Sequence, residues 1–153
     1  FPDDLKISTS LSKKIKKNNY QFLIDKDFIS VIKHCSEIKR KNQDGTWIDD
    51  RIINAYSELH RLKIAHSFEI YFNENLVGGL YGIILDGVFF GESMFHKERE
   101  ASKIAFVLTI KHLKKIGIKM IDCQMKTNHL LSLGAIEISR DRFVQLLNTY
   151  IKT

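Results

Sequence analysis

Apolar residues recur along this chain with two different periods, and the changes of period mark out its elements. Leu11 to Lys17 reads as a short helix capped by Ser10, followed by a strand from Tyr20 to Ile24. Phe28, Val31, Ile32, Cys35 and Ile38 fall at helical spacing, in a helix that either Asp25 or Asp27 caps. A second helix follows Asn42–Thr46, with Ile48, Ile52, Ile53, Tyr56 and Leu59 on its inner side. Three strands come next: Ile64–Phe72 turns at Asn73-Glu74-Asn75 into Leu76–Leu85, and Asp86-Gly87 turns that into Val88–Phe95. Asp-Gly between two apolar runs is a strong hairpin signal. Arg99 to Ile116 reads as a long, largely buried helix ended by Gly117. The pattern then predicts a strand at Ile118–Met125, a short helix at Asn128–Leu133 stopped by Gly134, a last strand at Ala135–Ser139 and a closing helix at Asp141–Ile151.

After the short first helix the order is β-α-α-β-β-β-α-β-α-β-α. A hairpin meander followed by a helical crossover places Val88–Phe95 and Ile118–Met125 side by side and parallel. The fold class expected is α+β, with a mixed, mostly antiparallel sheet flanked by helices, similar to the GNAT acyltransferases. Fold alone does not fix function. GNAT acetyltransferases hold the coenzyme A pyrophosphate on a glycine-rich turn ahead of the central helix, using the helix N-terminus as an anion site. The corresponding stretch here, Phe95-His96-Lys97-Glu98-Arg99-Glu100-Ala101, has no glycine and two glutamates. Acetyl-CoA chemistry is disfavoured.

The chain has 153 residues, 44% hydrophobic and 27% charged, one domain's worth with no repeat, low-complexity tract or linker. Its longest uncharged apolar run, Leu76 to Leu85, is ten residues with three glycines, too short for a span of roughly twenty. Cys35 and Cys123 form no spaced pair, so neither a disulfide framework nor a zinc knuckle is indicated. No metal site is expected. The start at Phe1-Pro2-Asp3-Asp4, without methionine or signal peptide, suggests a fragment or processed form.

The net charge of +6 is partly concentrated. Lys13, Lys14, Lys16 and Lys17 form one group, Lys39-Arg40-Lys41 a second, and Lys111, Lys114, Lys115 and Lys119 a third. Such clusters are the footprint of a protein that meets phosphates, and also of a lysine-rich face that only keeps a protein soluble.

The candidate chemistry lies on two strands. A period of two puts Met120, Asp122 and Gln124 on one face, and Phe90, Glu92 and Met94 on one face of the neighbouring strand. Polar groups inside a sheet are costly unless partnered, so Glu92, Asp122 and Gln124 are either a polar face, a satisfied network or a site. Their convergence where two parallel strands meet favours a site. Five of the eight glycines (Gly78, Gly79, Gly82, Gly87 and Gly91) fall in one stretch, which fits close approach of a ligand or bending of the sheet. Trp47 is a core anchor or a stacking platform for a base. Cys123 faces away from Asp122 and Gln124, which argues against a thiol nucleophile.

Longer motifs then become visible. Thr46-Trp47-Ile48, Ala55-Tyr56-Ser57-Glu58-Leu59-His60, Ala65-His66-Ser67-Phe68-Glu69 and Leu76-Val77-Gly78-Gly79-Leu80-Tyr81-Gly82 come first. Phe90-Gly91-Glu92-Ser93-Met94-Phe95, Ala101-Ser102-Lys103, Ile121-Asp122-Cys123-Gln124 and His129-Leu130-Leu131-Ser132-Leu133-Gly134-Ala135 follow. In this order the blocks resemble those of the leucyl/phenylalanyl-tRNA–protein transferases, over nearly the whole chain.

The resemblance implies an enzyme that moves leucine or phenylalanine from aminoacyl-tRNA onto the N-terminal amine of proteins beginning with lysine or arginine, marking them for degradation by the N-end rule. It implies no cofactor, a GNAT-like catalytic domain, and a small N-terminal domain that this chain does not include. By the motif match Glu92, Asp122 and Gln124 take the catalytic positions. Met94, Leu80, Phe89, Phe106 and Ile121 would line the apolar pocket for the aminoacyl side chain. Trp47 falls near the aminoacyl-adenosine, and Lys13, Lys14, Lys16 and Lys17 fall where the family contacts tRNA. His96 and Thr109 depart from the family pattern, Thr109 replacing a bulkier pocket residue. A cytoplasmic monomer without membrane attachment is expected, an organellar lumen being the alternative compartment. The rival readings are a GNAT-type acetyltransferase acting on amines, and a tRNA-binding module without catalysis.

Overall fold

Both hairpins form where the turn residues place them in the computed structural model, which describes residues 1–17, 19–42, 49–124 and 127–152, and of 39–42 only the backbone. Asn73 and Glu74, at φ 49° and 66°, make the two-residue turn between β2 (Ala65–Phe72) and β3 (Asn75–Leu85). Asp86 at φ 48° and Gly87 make the turn into β4 (Val88–His96). Positive φ at hairpin turns matches the right-handed twist of the flanking strands. β1 (Gln21–Ile24) pairs antiparallel with β2 at one edge. β5 (Met120–Asp122) pairs parallel with β4 at the other, giving one five-stranded sheet in the order β1-β2-β3-β4-β5. The α+β GNAT-like sheet expected from the pattern is present.

Helix α4 (Ala101–Lys115), the crossover that makes β5 parallel, covers one face with Ile104, Ala105, Phe106, Ile110 and Leu113 against Phe68, Leu80 and Phe89. Leu11 of α1 (Thr9–Lys17) joins the same core. The opposite face packs on α2 (Phe28–Asn42) through Phe28, Val31, Ile32 and Cys35, with α3 (Asp50–Arg61) outside them through Ile52, Ile53 and Tyr56. At the β4–β5 end of that face, Val88 and Met120 are covered by Leu146 of α6 (Arg140–Tyr150). A short α5 (Asn128–Ser132) is capped by the Thr127 hydroxyl.

Several expectations change in detail. The first helix starts at Thr9, because the Ser8 hydroxyl rather than Ser10 accepts from the Leu11 amide, at 3.2 Å. Asp27 caps α2 by accepting from the Ser30 amide at 3.2 Å, which leaves Asp25 for another partner. The last strand predicted, at 135–139, does not form: the segment has the alternation but no ladder partner among the described strands, and Ser139 instead caps α6. The glycine-rich stretch owes part of its composition to the protein's own backbone. A Cβ on Gly78 would meet the Cβ of Ala101 at 2.8 Å, where α4 begins against the sheet.

Asp25 stands at φ 58° and gathers β1, β2 and α3. Its carboxylate accepts from the Ser67 amide at 2.9 Å and from His66 Nδ1 at 2.8 Å, with His60 Nδ1 at 3.7 Å. His66 Nε2 faces the Lys63 carbonyl at 3.1 Å, so both its ring nitrogens face acceptors, which suits the imidazolium. The Asp25 hydrogen bond raises the pKa of His66. Burial pushes Asp25 up, but its bonds to His66 and the Ser67 amide outweigh burial and leave it lowered. The raised His66 contributes stability below its unfolded pKa and loses it as pH rises through the folded value. The lowered Asp25 contributes above its unfolded pKa and loses it as pH falls. The pair is therefore strongest between about pH 4 and 6.5. Asn tolerates left-handed backbone, so Asp25→Asn isolates the charge. It is expected to remove about 1–3 kcal/mol near pH 5.5 and less near pH 8.5, read from thermal unfolding at the two values. Equal losses at both would mean His66 is neutral throughout.

Candidate active site

The strand pairing decides which side chains meet. Between Tyr81↔Ser93 and Gly82↔Gly91 the β3–β4 register shifts by one, so Glu92 is the extra residue of a β-bulge. An extra residue reverses the alternation beyond it. Phe90 therefore faces the α6 cluster, whereas Met94, paired with Leu80, faces α4. The single shared face expected for Phe90, Glu92 and Met94 is thereby corrected. The bulge sends Glu92 toward α3, where its carboxylate lies close to the Tyr56 hydroxyl.

β5 brings in the other two candidates. Its parallel register sets Met120 beside Val88, Ile121 beside Phe89 and Asp122 beside Phe90. Met120 and Asp122 share a face as expected, but the strand ends at Asp122, and Gln124 follows in left-handed backbone at φ 62°. That turn is held by Asp122, whose Oδ1 accepts from the Gln124 amide at 2.8 Å. The turn carries the Gln124 side chain to Glu92, where Nε2 donates to Oε1 at 3.2 Å. A carboxylate only accepts, so the Gln124 amide must present its NH2 to Glu92 and keep its carbonyl for something else. The result is two linked hydrogen bonds, the Gln124 side chain to Glu92 and the Gln124 backbone to Asp122, with the Tyr56 hydroxyl close to the Glu92 carboxylate.

Burial first, and then the nearby Glu92 carboxylate, push the Tyr56 pKa far above its ordinary value. Tyr56 thus borders Glu92, although the periodicity assigned it only to packing. Its signal was a hydroxyl among apolar inner positions. Burial also raises the Cys123 thiol, which keeps it protonated and outside nucleophilic chemistry.

A cavity of about 670 Å³ opens beside Asp122 and Gln124, floored by Phe106, Ile110, Ile121 and Leu130. The five residues expected to line an apolar pocket fall in one cluster under α4: Leu80, Phe89 and Phe106 are buried, and Met94 and Ile121 pack against them. Phe106 and Ile121 reach the cavity. Trp47, with its neighbours Thr46 and Ile48, lies outside the described residues. Ahead of α4, Glu100 occupies the N-cap at φ 67° with no side-chain cap, and its carboxylate lies 3.5 Å from Lys14 Nζ. Lys14 also donates to the Arg99 carbonyl at 3.2 Å, while Lys13, Lys16 and Lys17 of the predicted tRNA-contacting group are exposed.

A family model described as leucyl/phenylalanyl-tRNA protein transferase matches residues 1–148. Among curated proteins, the chain is 50% identical over 151 residues to a leucyl/phenylalanyl-tRNA–protein transferase of Nitrosospira multiformis, covering 99% of this chain and 65% of the relative. It is 53% identical over 146 residues to one of Sulfurimonas denitrificans, covering 95% and 63%. The chain thus spans just under two-thirds of the length of these relatives. In fold it is similar to a predicted acetyltransferase with acetyl-CoA from Clostridium acetobutylicum, at TM-score 0.58 and 12% identity over 80% of this chain and 92% of that one. An aminoglycoside acetyltransferase from an uncultured soil metagenomic sample matches at TM-score 0.54 and 14% identity, over 88% and 90%.

Proposed function

Because the chain belongs to the leucyl/phenylalanyl-tRNA–protein transferase family, we propose that it transfers leucine or phenylalanine from aminoacyl-tRNA to the N-terminal α-amine of proteins that begin with lysine or arginine. The product carries a new N-terminal residue that serves as a degradation signal. The observation that carries this reading is Gln124, whose backbone N–H is held by Asp122 and whose side-chain NH2 is held by Glu92, leaving its side-chain carbonyl available beside a cavity.

The reaction is aminolysis of an ester. The acceptor nitrogen forms a bond to the aminoacyl carbonyl carbon, the carbon–oxygen bond to the terminal ribose breaks, and the tRNA hydroxyl leaves with a proton while the amine loses one. An α-amine with a pKa near 8 is already about a tenth neutral at pH 7, so its deprotonation costs only about 1.4 kcal/mol. Orienting the two reactants can contribute about 7–11 kcal/mol, so positioning dominates. In this reading the Gln124 carbonyl accepts a hydrogen bond from the attacking amine. Asp122 holds Gln124 and takes the proton. Glu92 accepts from the ammonium of the aminoacyl group, whose side chain enters the cluster of Leu80, Phe89, Met94, Phe106 and Ile121. Trp47 would stack on the adenosine, and Lys13, Lys14, Lys16 and Lys17 would meet tRNA phosphates. No helix among the described residues is long and apolar enough to cross a membrane, and the protein is read as a cytoplasmic monomer.

The test is transfer of radiolabelled phenylalanine or leucine from charged tRNA to a peptide with N-terminal arginine, beside one with N-terminal glycine. Arginine-dependent transfer is expected. Binding of charged tRNA without transfer would reduce the protein to a binding module, and a rise in melting temperature with saturating acetyl-CoA would favour acetyl transfer. Tyr56→Phe removes the hydroxyl beside Glu92 and keeps the ring, so transfer is expected to fall about three- to tenfold with little change in melting temperature, if that hydroxyl supports Glu92 by about one hydrogen bond's worth, roughly 0.5–1.5 kcal/mol. An unchanged rate would confine Tyr56 to packing.

A further inference from the structure

The third lysine group sits in a groove that the candidate active site does not use. Lys111, Lys114 and Lys115 are exposed on the last turns of α4, and with His112, Leu108 and Phe22 of β1 they line a groove of about 560 Å³. Phe22 and Leu108 give it an apolar floor along which lysine stems can lie with their ammonium heads in water. Among the described residues, the acid that pairs with this group is Asp3, whose carboxylate lies 3.0 Å from Lys114 Nζ, so Lys111 and Lys115 carry most of the charge that no described acid pairs.

The groove lies on the same helix that anchors the first lysine group. α1 runs directly toward β1, and Lys14 is anchored at the first turn of α4, on Glu100 and the Arg99 carbonyl. The Phe22 groove lies at the other end of the same helix. Fifteen residues at 1.5 Å each separate the two ends by about 20 Å. We propose that α1 and the C-terminal turns of α4, with Phe22 of β1 between them, form one cationic track for the phosphate backbone of the tRNA, with the groove at Lys111, Lys114 and Lys115 as its second contact. This rests on the transferase reading. A duplex stem is recognised by its shape and backbone rather than by base edges, which suits a groove of point charges. The track lies on the β1 side of the sheet and the Glu92–Gln124 pair on the β4–β5 side, four strand spacings or about 19 Å away. An unpaired 3′ end reaching from a stem on the track can cross that width.

The experiment measures phenylalanyl-tRNA binding against salt for the unaltered protein, for Lys111→Gln/Lys114→Gln/Lys115→Gln, and for Lys13→Gln/Lys14→Gln/Lys16→Gln/Lys17→Gln. The first triple variant is expected to bind at least tenfold more weakly, with the slope of log affinity on log salt shallower by about two to three. Its KM for charged tRNA rises while kcat at saturation stays unchanged, since no groove residue touches the reacting groups. Lysine-to-arginine changes at the same three positions keep the charge and restore the slope. A triple glutamine variant with unaltered slope, beside an α1 variant that binds weakly, overturns the second contact and leaves the transferase reading standing. Dependence of the three lysines on anionic vesicles in place of tRNA overturns it equally. Failure of the unaltered protein to bind tRNA overturns both.

Discussion

Asp122→Asn and Glu92→Gln each lower transfer of leucine or phenylalanine at least tenfold while the protein stays folded. Both replacements keep an acceptor oxygen where the structure uses one. The side-chain carbonyl introduced by Asp122→Asn can still accept from the Gln124 amide, and the one introduced by Glu92→Gln can still accept from the Gln124 side chain. What is lost is the negative charge. A hydrogen bond to a charged group contributes about 1.5–3 kcal/mol, and each 1.36 kcal/mol is a factor of ten in rate, so the expected loss runs from about ten- to more than a hundredfold. Asp122→Ala separates two duties that Asp122→Asn leaves joined. If the carboxylate only holds the left-handed turn, alanine is much the worse variant, because Gln124 is released from Glu92. If it also takes the proton of the attacking amine, asparagine is already nearly as poor as alanine. Rates with a peptide bearing N-terminal arginine, beside the melting temperature of each variant, measure this. Full activity in Asp122→Asn or in Glu92→Gln would remove that residue from the mechanism.

The same three residues show how far a sequence can be read here. Asp122 and Met120 lie on one face because β5 is a regular strand up to that point, and a regular strand has a period of two. Gln124 obeys no period, since the chain has left the strand and turned on Asp122. Its arrival at Glu92 is a tertiary event that spacing does not encode. Alternation counted along Val88–Phe95 gave Phe90 and Met94 the same face because counting assumes one residue per rung. The bulge at Glu92 breaks that assumption, and the neighbouring Gly91 was its only local mark. The pattern points to Ser10 as the cap of the first helix, and the cap formed instead by Ser8 depends on how the helix docks into the core. Residues 135–139 had the alternation of a strand, yet a strand exists only with a partner, and here Ile136 remains 61% exposed. The overall order of elements survives these local misses because the hairpin turns and the crossover helix are set by chemistry within each segment.

Gly82→Ala is expected to destabilise the protein by about 3 kcal/mol or more, and Gly91→Ala by much less, although the two glycines are cross-strand partners. A Cβ on Gly82 would collide with the Phe90 carbonyl oxygen and come within 2.6 Å of the Phe89 ring. The ring could tilt, but the carbonyl belongs to β4 beside the bulge, so relief means moving backbone. On Gly91 the added atom meets the Asp122 carbonyl at 3.5 Å and the Phe89 ring at 3.6 Å, both ordinary contacts. The consequences reach the site as well. Displacing Phe90 shifts the bulge that aims Glu92, and Phe89 is packed in the cluster proposed to take the aminoacyl side chain. Gly82→Ala should therefore lose transfer even at temperatures where it is still folded, with a melting temperature lower by about 6–12 °C. Thermal unfolding of the two variants side by side decides it. Equal stabilities would mean the β3–β4 pairing yields at Gly82, and the bulge would then be a soft feature rather than the fixed mount of the Glu92 carboxylate.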